Sequence, residues 1–245
     1  MGFFEPAKRT IDPATSGWGV AEAGRLWFNT EDLLWKFWDS GNVCTIQSST
    51  VGGSGSYLLD ETFEDMSWSL WDGTVGSPTF STSVYHGGTV SAEFVGTEYA
   101  LSSLAATNPV YIDGYVNYPA LPYYTNHYIP FYYLLRPDGA TIARVGMIYW
   151  GPGTIGMQVH RLYPNEAWGQ YVFSASVDTW YHVKLKYYQN ASTGEYRLWL
   201  DGTERISLTG LNTSDGTVGT LRLGYPGSST CIVYIDDVKI DGSDI

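Results

Sequence analysis

Trp180-Tyr181-His182-Val183-Lys184-Leu185-Lys186-Tyr187, read with Glu195-Tyr196-Arg197-Leu198-Trp199-Leu200-Asp201-Gly202, decides the fold class. In the first run Tyr181, Val183, Leu185 and Tyr187 alternate with His182, Lys184 and Lys186. In the second, Tyr196, Leu198 and Leu200 alternate with Arg197 and Trp199. A period of two places alternate side chains on opposite faces of a strand, so each run reads as a strand with one core face. Ala191-Ser192-Thr193-Gly194 joins the two runs. Asp201-Gly202 is a two-residue turn of the kind that needs positive φ, and it leads into a third strand. Residues from about 180 to 208 therefore form a continuous antiparallel meander, with one face in a core and a basic-aromatic strip on the other.

The same signals recur outward from this meander. Short apolar stretches cut by turn residues predict strands near 57–63, 78–83, 90–95, 98–103, 110–117, 128–136, 141–149, 155–162, 170–174, 218–224 and 230–240. Arg136-Pro137-Asp138-Gly139 marks a further hairpin. No window has a helical period, so the expected architecture is an all-β antiparallel jelly-roll sandwich.

Composition narrows the function classes. The 245 residues include 20 Tyr and 10 Trp, only 16% are charged, and the net charge is −12. Nucleic-acid binding needs clustered Lys and Arg, so a nucleic-acid partner is not expected, and neither is an anionic membrane. Met1-Gly2-Phe3-Phe4-Glu5-Pro6 has no basic, then apolar, leader pattern, and the longest apolar run, 128–135, is broken by Pro130. Cys44 and Cys231 are read as thiols, since two cysteines make no disulfide framework.

Three regions are expected. Residues 1–47 form an N-terminal attachment arm and β-hairpin or meander, built on Leu26-Trp27-Phe28 and Leu34-Trp35-Lys36-Phe37-Trp38. Residues 48–56, rich in Gly and Ser, form a linker, and 57–245 form the jelly roll. So many aromatics in so small an arm call for a second surface to pack on.

Several stretches of the third region resemble concanavalin A-like, laminin-G-like jelly rolls. They are Leu59-Asp60-Glu61-Thr62-Phe63-Glu64-Asp65 with Trp68, the run from Ser77 to Gly88, Thr179-Trp180-Tyr181-His182-Val183, Leu198-Trp199-Leu200-Asp201-Gly202 and Tyr234-Ile235-Asp236-Asp237-Val238. The likeness spans about 57–241. Gly24-Arg25-Leu26-Trp27-Phe28-Asn29-Thr30 running to Trp38-Asp39-Ser40-Gly41 is similar to an N-terminal segment of bacteriophage tail-fibre and virion-surface proteins. The first resemblance implies a lectin-like domain and one structural Ca²⁺ held between the first and last strands by Glu64 and Asp237, with Asp60 or Asp236. The second implies a capsid-decorating or tail-fibre subunit at the virion surface, a homotrimer, docked to capsid or tail proteins through residues 1–47.

No catalytic residues are assigned. The alternating Glu and Asp of jelly-roll glycoside hydrolases are missing, and no nucleophile elbow or phosphate loop is present. Gln158-Val159-His160 resembles one motif of jelly-roll polysaccharide lyases, but the companion Arg-x-Glu-Leu strand is missing. The bland reading of His160 is a strand histidine satisfied by a neighbour.

The expectation is a non-enzyme whose candidate ligands are host-surface glycans. Sugar faces stack on exposed aromatic rings. Trp150 in Trp150-Gly151-Pro152-Gly153 and Trp168 in Glu166-Ala167-Trp168-Gly169 are the preferred rings because both fall in expected loops, and Tyr149, Tyr171 and Tyr124 complete the candidate set. The strip of Lys184, Lys186, Arg197 and Trp199 has two readings, an anionic glycan or a subunit interface. Two alternatives to the virion reading are a free, secreted carbohydrate-binding lectin and a divergent polysaccharide lyase.

Overall fold

A computed structural model describes residues 7–9, 26–29, 34–39, 42–46, 58–105, 107–120, 127–151, 154–161, 167–214, 217–224 and 231–245. The chain divides into two compact units, Met1–Gly55 and Ser56–Ile245.

The first unit holds one four-stranded sheet made of β1 (Ala7–Arg9), β2 (Leu26–Asn29), β3 (Leu34–Asp39) and β4 (Asn42–Ile46), in that order. The two aromatic runs pair as antiparallel neighbours, with Trp27 opposite Lys36 and Phe28 opposite Trp35. β4 returns beside β3, and β1 joins β2 in parallel.

The second unit is a sandwich of two antiparallel sheets. Its strands are β5 (Leu59–Glu61), β6 (Gly73–Val75), β7 (Thr79–Ser81), β8 (Ser91–Val95), β9 (Tyr99–Ser103), β10 (Val110–Asn117), β11 (His127–Leu135), β12 (Thr141–Gly151), β13 (Thr154–Arg161), β14 (Ala167–Phe173), β15 (Trp180–Tyr188), β16 (Gly194–Leu200), β17 (Thr203–Leu211), β18 (Thr220–Gly224) and β19 (Ile232–Asp241). The eight-stranded sheet runs β17-β16-β15-β10-β19-β8-β7, with β5 also on β19. The seven-stranded sheet runs β14-β13-β12-β11-β18-β9-β6. Chain neighbours pair as two local meanders, β11 to β14 and β15 to β17, and as the β7–β8 pair, and the other connections cross between sheets.

The meander that decided the fold class is present as read. Tyr181, Val183, Leu185 and Tyr187 are buried, and so are Tyr196, Leu198 and Leu200. Asp201 and Gly202 turn the chain with φ of 50° and 74°. The third expected hairpin closes β11 onto β12, where Arg136 N donates to Ala140 O at 2.8 Å and Gly139 takes φ 84°. One short strand, β6, was not anticipated. Its residues are all exposed, so it has no alternation to read.

The core is one apolar cluster between the sheets, with Phe63, Phe94, Phe131, Tyr132, Ile112 and Leu198 among its fully buried members. Each such side chain contributes roughly 1.5–3 kcal/mol by leaving water. The Leu59–Trp68 stretch of the sequence likeness has a structural task. Buried Glu61 accepts from Phe63 N at 2.7 Å and from Trp71 Nε1 at 3.1 Å, and it holds Phe63 against Trp68 and Trp71. Burial raises its pKa above the usual carboxylate range, against the pull of these donors.

Candidate functional site

The outward face of the β11 to β14 meander forms the site. Along β12 the inward residues Ala143, Val145 and Met147 belong to the core, which turns Arg144, Gly146, Ile148 and Trp150 outward. On β13, Ile155, Met157 and Val159 are inward and Gln158 and His160 outward; on β14, Trp168 and Gln170 are outward. These side chains and Tyr128 of β11 line an open groove of about 720 Å³.

Cross-strand register builds its centre. His160 lies opposite Arg144 on one side and Trp168 on the other. Arg144 donates to His160 Nδ1 from Nη2 at 3.0 Å and from Nε at 3.3 Å, and its guanidinium lies 4.9 Å from the Tyr128 ring centre. Tyr128 donates to the Gln158 carbonyl at 3.2 Å. Desolvation first of all pushes the Tyr128 phenol well above its ordinary range, so it remains a neutral donor. The Trp168 ring, tilted 33° to His160 at 5.9 Å, is 61% exposed and forms the open wall. The Trp150 ring occupies space that Gly156 leaves clear, since a Cβ there would come within 2.6 Å of it.

One exposed and one half-buried indole ring, a guanidinium, a phenol and two amide side chains can stack sugar rings and bond hydroxyl or acid groups. The groove is within the size range of small-molecule sites.

Several expectations change at this point. Trp150 and Trp168 lie in strands β12 and β14, not in loops, because each strand extends beyond its expected end. Strand geometry puts Tyr149 and Tyr171 on the opposite face from their tryptophan neighbours. Both pack against the core, Tyr171 stacking on Phe173 at 5.8 Å with the Arg205 guanidinium 4.6 Å from its ring, so neither lines the groove. Tyr124 lies outside the described residues. Arg144 and Gln170 went unread in the sequence. The signal that finds them is two-residue spacing, which aligns Arg144 with Trp150 on β12 and Trp168 with Gln170 on β14.

The basic-aromatic strip on the eight-stranded sheet is neutralised. Lys184 pairs with Asp244, Lys186 with Glu195 at 2.8 Å, and Arg197 with Glu195 at 3.0 Å and Glu204 at 3.4 Å. Charges already matched in this way leave little attraction for an anionic glycan.

Glu64 and Asp237 converge on one turn. Glu64 accepts from Thr89 N at 2.9 Å, Thr89 Oγ1 at 2.8 Å and Val90 N at 3.1 Å. Asp237 Oδ2 is 3.0 Å from His86 Nδ1, and Asp236 Oδ2 accepts from His86 N at 2.8 Å. A Cβ on Gly87 would come within 2.7 Å of Asp237 Oδ2, and one on Gly88 would collide with the Glu64 carboxylate. Asp60, on β5, faces Lys239 across the β5–β19 ladder. Among the described residues no set of three or more His, Cys, Asp or Glu side chains gathers as metal ligands. Two carboxylates on a glycine turn fit a hard cation such as Ca²⁺ only if main-chain oxygens complete the shell.

No protein-family model matches the sequence, and no curated protein matches it. Solved structures do. A cellulose induced protein, Cip1, superposes with a TM-score of 0.59 at 13% identity, over 76% of this chain and 98% of that one. The receptor binding domain of botulinum neurotoxin mosaic serotype C/D gives 0.55 at 10% identity, over 78% of this chain and 48% of that one. Botulinum neurotoxin type C, whose cell entry depends on interaction with two ganglioside molecules, gives 0.52 at 7% identity, over 83% and 46%. At such identities the likeness establishes the fold, a concanavalin A-like β-sandwich. None of these three is a virion protein, and the resemblance of residues 24–41 to virion segments gains no support from them.

Proposed function

We propose that this chain is a non-catalytic glycan-binding protein whose ligand lies in the groove over β11 to β14. The observation behind this reading is the groove itself, where exposed Trp168 and half-buried Trp150 flank Arg144, Gln158, His160 and Gln170. A sandwich fold shared with a ganglioside-dependent toxin agrees with glycan recognition in general terms. A glycan array probed with the whole chain and with Trp168→Ala tests it. Binding lost in the variant supports the reading, and binding unchanged in it places the ligand elsewhere.

The biological setting in this proposal is the virion surface, with residues 1–47 docking a homotrimer to capsid or tail proteins and the sandwich displayed toward host glycans. Its support is the sequence resemblance of that segment. Removal of residues 1–50 should then abolish incorporation into particles, and a free secreted lectin would have no particle to join. One Ca²⁺ held by Glu64, Asp237 and main-chain oxygens belongs to the same proposal.

A second reading, a polysaccharide lyase, is favoured by one observation: Gln158, His160, Arg144 and Tyr128 share one groove. Unsaturated uronate products released by the purified chain, and lost in His160→Ala, would establish it over the non-catalytic reading.

A further inference from the structure

The excess of acidic side chains, which sets the net charge at −12, is unevenly distributed over the sandwich. The strands of the eight-stranded sheet hold nine Asp and Glu residues. The seven strands of the other sheet hold none, yet they include Arg144, Arg161 and Arg222.

Two of these arginines stand in one row across the outer face. Register places Trp168 opposite His160, His160 opposite Arg144, Arg144 opposite Tyr133, and Tyr133 opposite Arg222. Arg222 lies between two phenol rings, 4.6 Å from the Tyr99 centre and 5.4 Å from that of Tyr133. Its Nε is buried and, among the described residues, has no hydrogen-bond partner, an uncommon state for a charged donor. Among the described residues neither Arg144 nor Arg222 makes an ion pair, whereas Lys184, Lys186 and Arg197 on the opposite sheet all do.

We infer that the bound glycan is an acidic, carboxylate-bearing polysaccharide laid across the strands, with Arg144 and Arg222 each pairing an acid group. This rests on the groove reading and extends it one strand beyond the groove, to β18. The row from Trp168 to Arg222 crosses four strand spacings, roughly 19 Å. Each spacing is close to the length of one pyranose unit in an extended chain, so a crossing chain advances about one sugar per strand. Planar guanidinium groups suit carboxylates, and with the Arg222 Nε buried and the Arg144 Nε on His160, the terminal nitrogens are the donors that would meet the acid groups. A nucleic acid is disfavoured by the acidic chain and by the lack of lysine on these strands.

The test is calorimetric titration of the whole chain with polygalacturonate, polymannuronate, their methyl esters, a neutral β-glucan and oligothymidylate. At least one acid form should bind at least about ten-fold more tightly than its ester, and the preference should shrink as salt rises. Arg222→Gln and Arg144→Gln should each lower the acid-to-ester ratio about ten-fold, while Arg222→Lys keeps part of it. Should Arg222→Gln fail to fold, the unmodified chain's ratio and the lysine variant still decide. Equal affinity for acid and ester, with both lost in Trp168→Ala, overturns the acidic ligand and leaves the groove reading intact. No binding to any saccharide removes both, and tighter binding of oligothymidylate replaces the glycan with nucleic acid.

Discussion

Arg144 donates two hydrogen bonds to a single acceptor, the Nδ1 of His160, across the β12–β13 ladder. A guanidinium can only donate, so Nδ1 carries no proton and the imidazole proton sits on Nε2. A histidine-selective ¹⁵N spectrum near neutral pH should show His160 as the Nε2–H tautomer, and Arg144→Met should convert it to a mixture. An unchanged His160 signal in that variant would refute the pairing.

Trp168 and Tyr171 separate binding from stability, although both were candidate sugar-stacking rings. Trp168→Ala removes an exposed ring, so affinity should fall roughly ten-fold or more while stability changes by no more than about 0.5 kcal/mol. Tyr171→Ala removes a ring packed on the core and should cost about 2–4 kcal/mol. Denaturant melts and glycan titrations of the two variants check this division.

Gly156 is the floor under Trp150. A methyl group there meets the indole at 2.6 Å and also the Tyr171 carbonyl, so Gly156→Ala should destabilise by about 1–3 kcal/mol. Glycan affinity should fall with it, because the Trp150 ring must move. Tryptophan fluorescence and titration of the same variant provide the measurement.

Glu64 ties the turn at Thr89–Val90 to the segment after β5, and these donors hold its pKa below the ordinary carboxylate value, Thr89 N most of all. Glu64→Gln should lower the melting temperature. If Ca²⁺ occupies the turn, chelator lowers the melting temperature of the unmodified chain and has less effect on Glu64→Gln. Identical chelator responses in the two proteins would discard the cation.

His182 introduces a pH dependence. Its Nε2 bonds Asp113 Oδ1 at 2.8 Å, and this bond, with the charges of Asp113 and Asp201, raises its pKa against burial and Lys184; Tyr115 stacks on it at 4.7 Å. A raised folded-state pKa stabilises fully below the unfolded value, about 6.5, and the benefit is lost as pH rises through the folded value. The melting temperature should therefore decline as pH rises from about 6.5 through the raised folded value, by an amount that His182→Gln removes. The site is partly exposed, so the effect should stay below about 1 kcal/mol.

Fold class was legible in Tyr181–Leu200 because a strand's two-residue period writes burial directly into the order of residues. The same period misled at Tyr149 and Tyr171. Tyr149 is one residue from Trp150 and Tyr171 three from Trp168, and an odd separation along a strand puts side chains on opposite faces. Taking both tryptophans for loop residues hid this, since alternation constrains nothing in a loop. The strip of Lys184, Lys186 and Arg197 was also legible as a face, with an anionic glycan and a subunit interface as its two readings, but its ion pairs were not. Its partners Glu195, Glu204 and Asp244 come from neighbouring strands and the chain end.

By itself the sequence determined which residues alternate, where the chain turns and which runs are strands, because these depend on neighbours a few positions apart. Only the tertiary structure decided which strands lie side by side beyond the hairpins. That arrangement sets Trp168, His160, Arg144, Tyr133 and Arg222, scattered over 90 positions of chain, in one row. It also builds the seven-stranded sheet entirely from strands without Asp or Glu. Cross-strand register is fixed by the packing of the whole sandwich core, so no local stretch contains it.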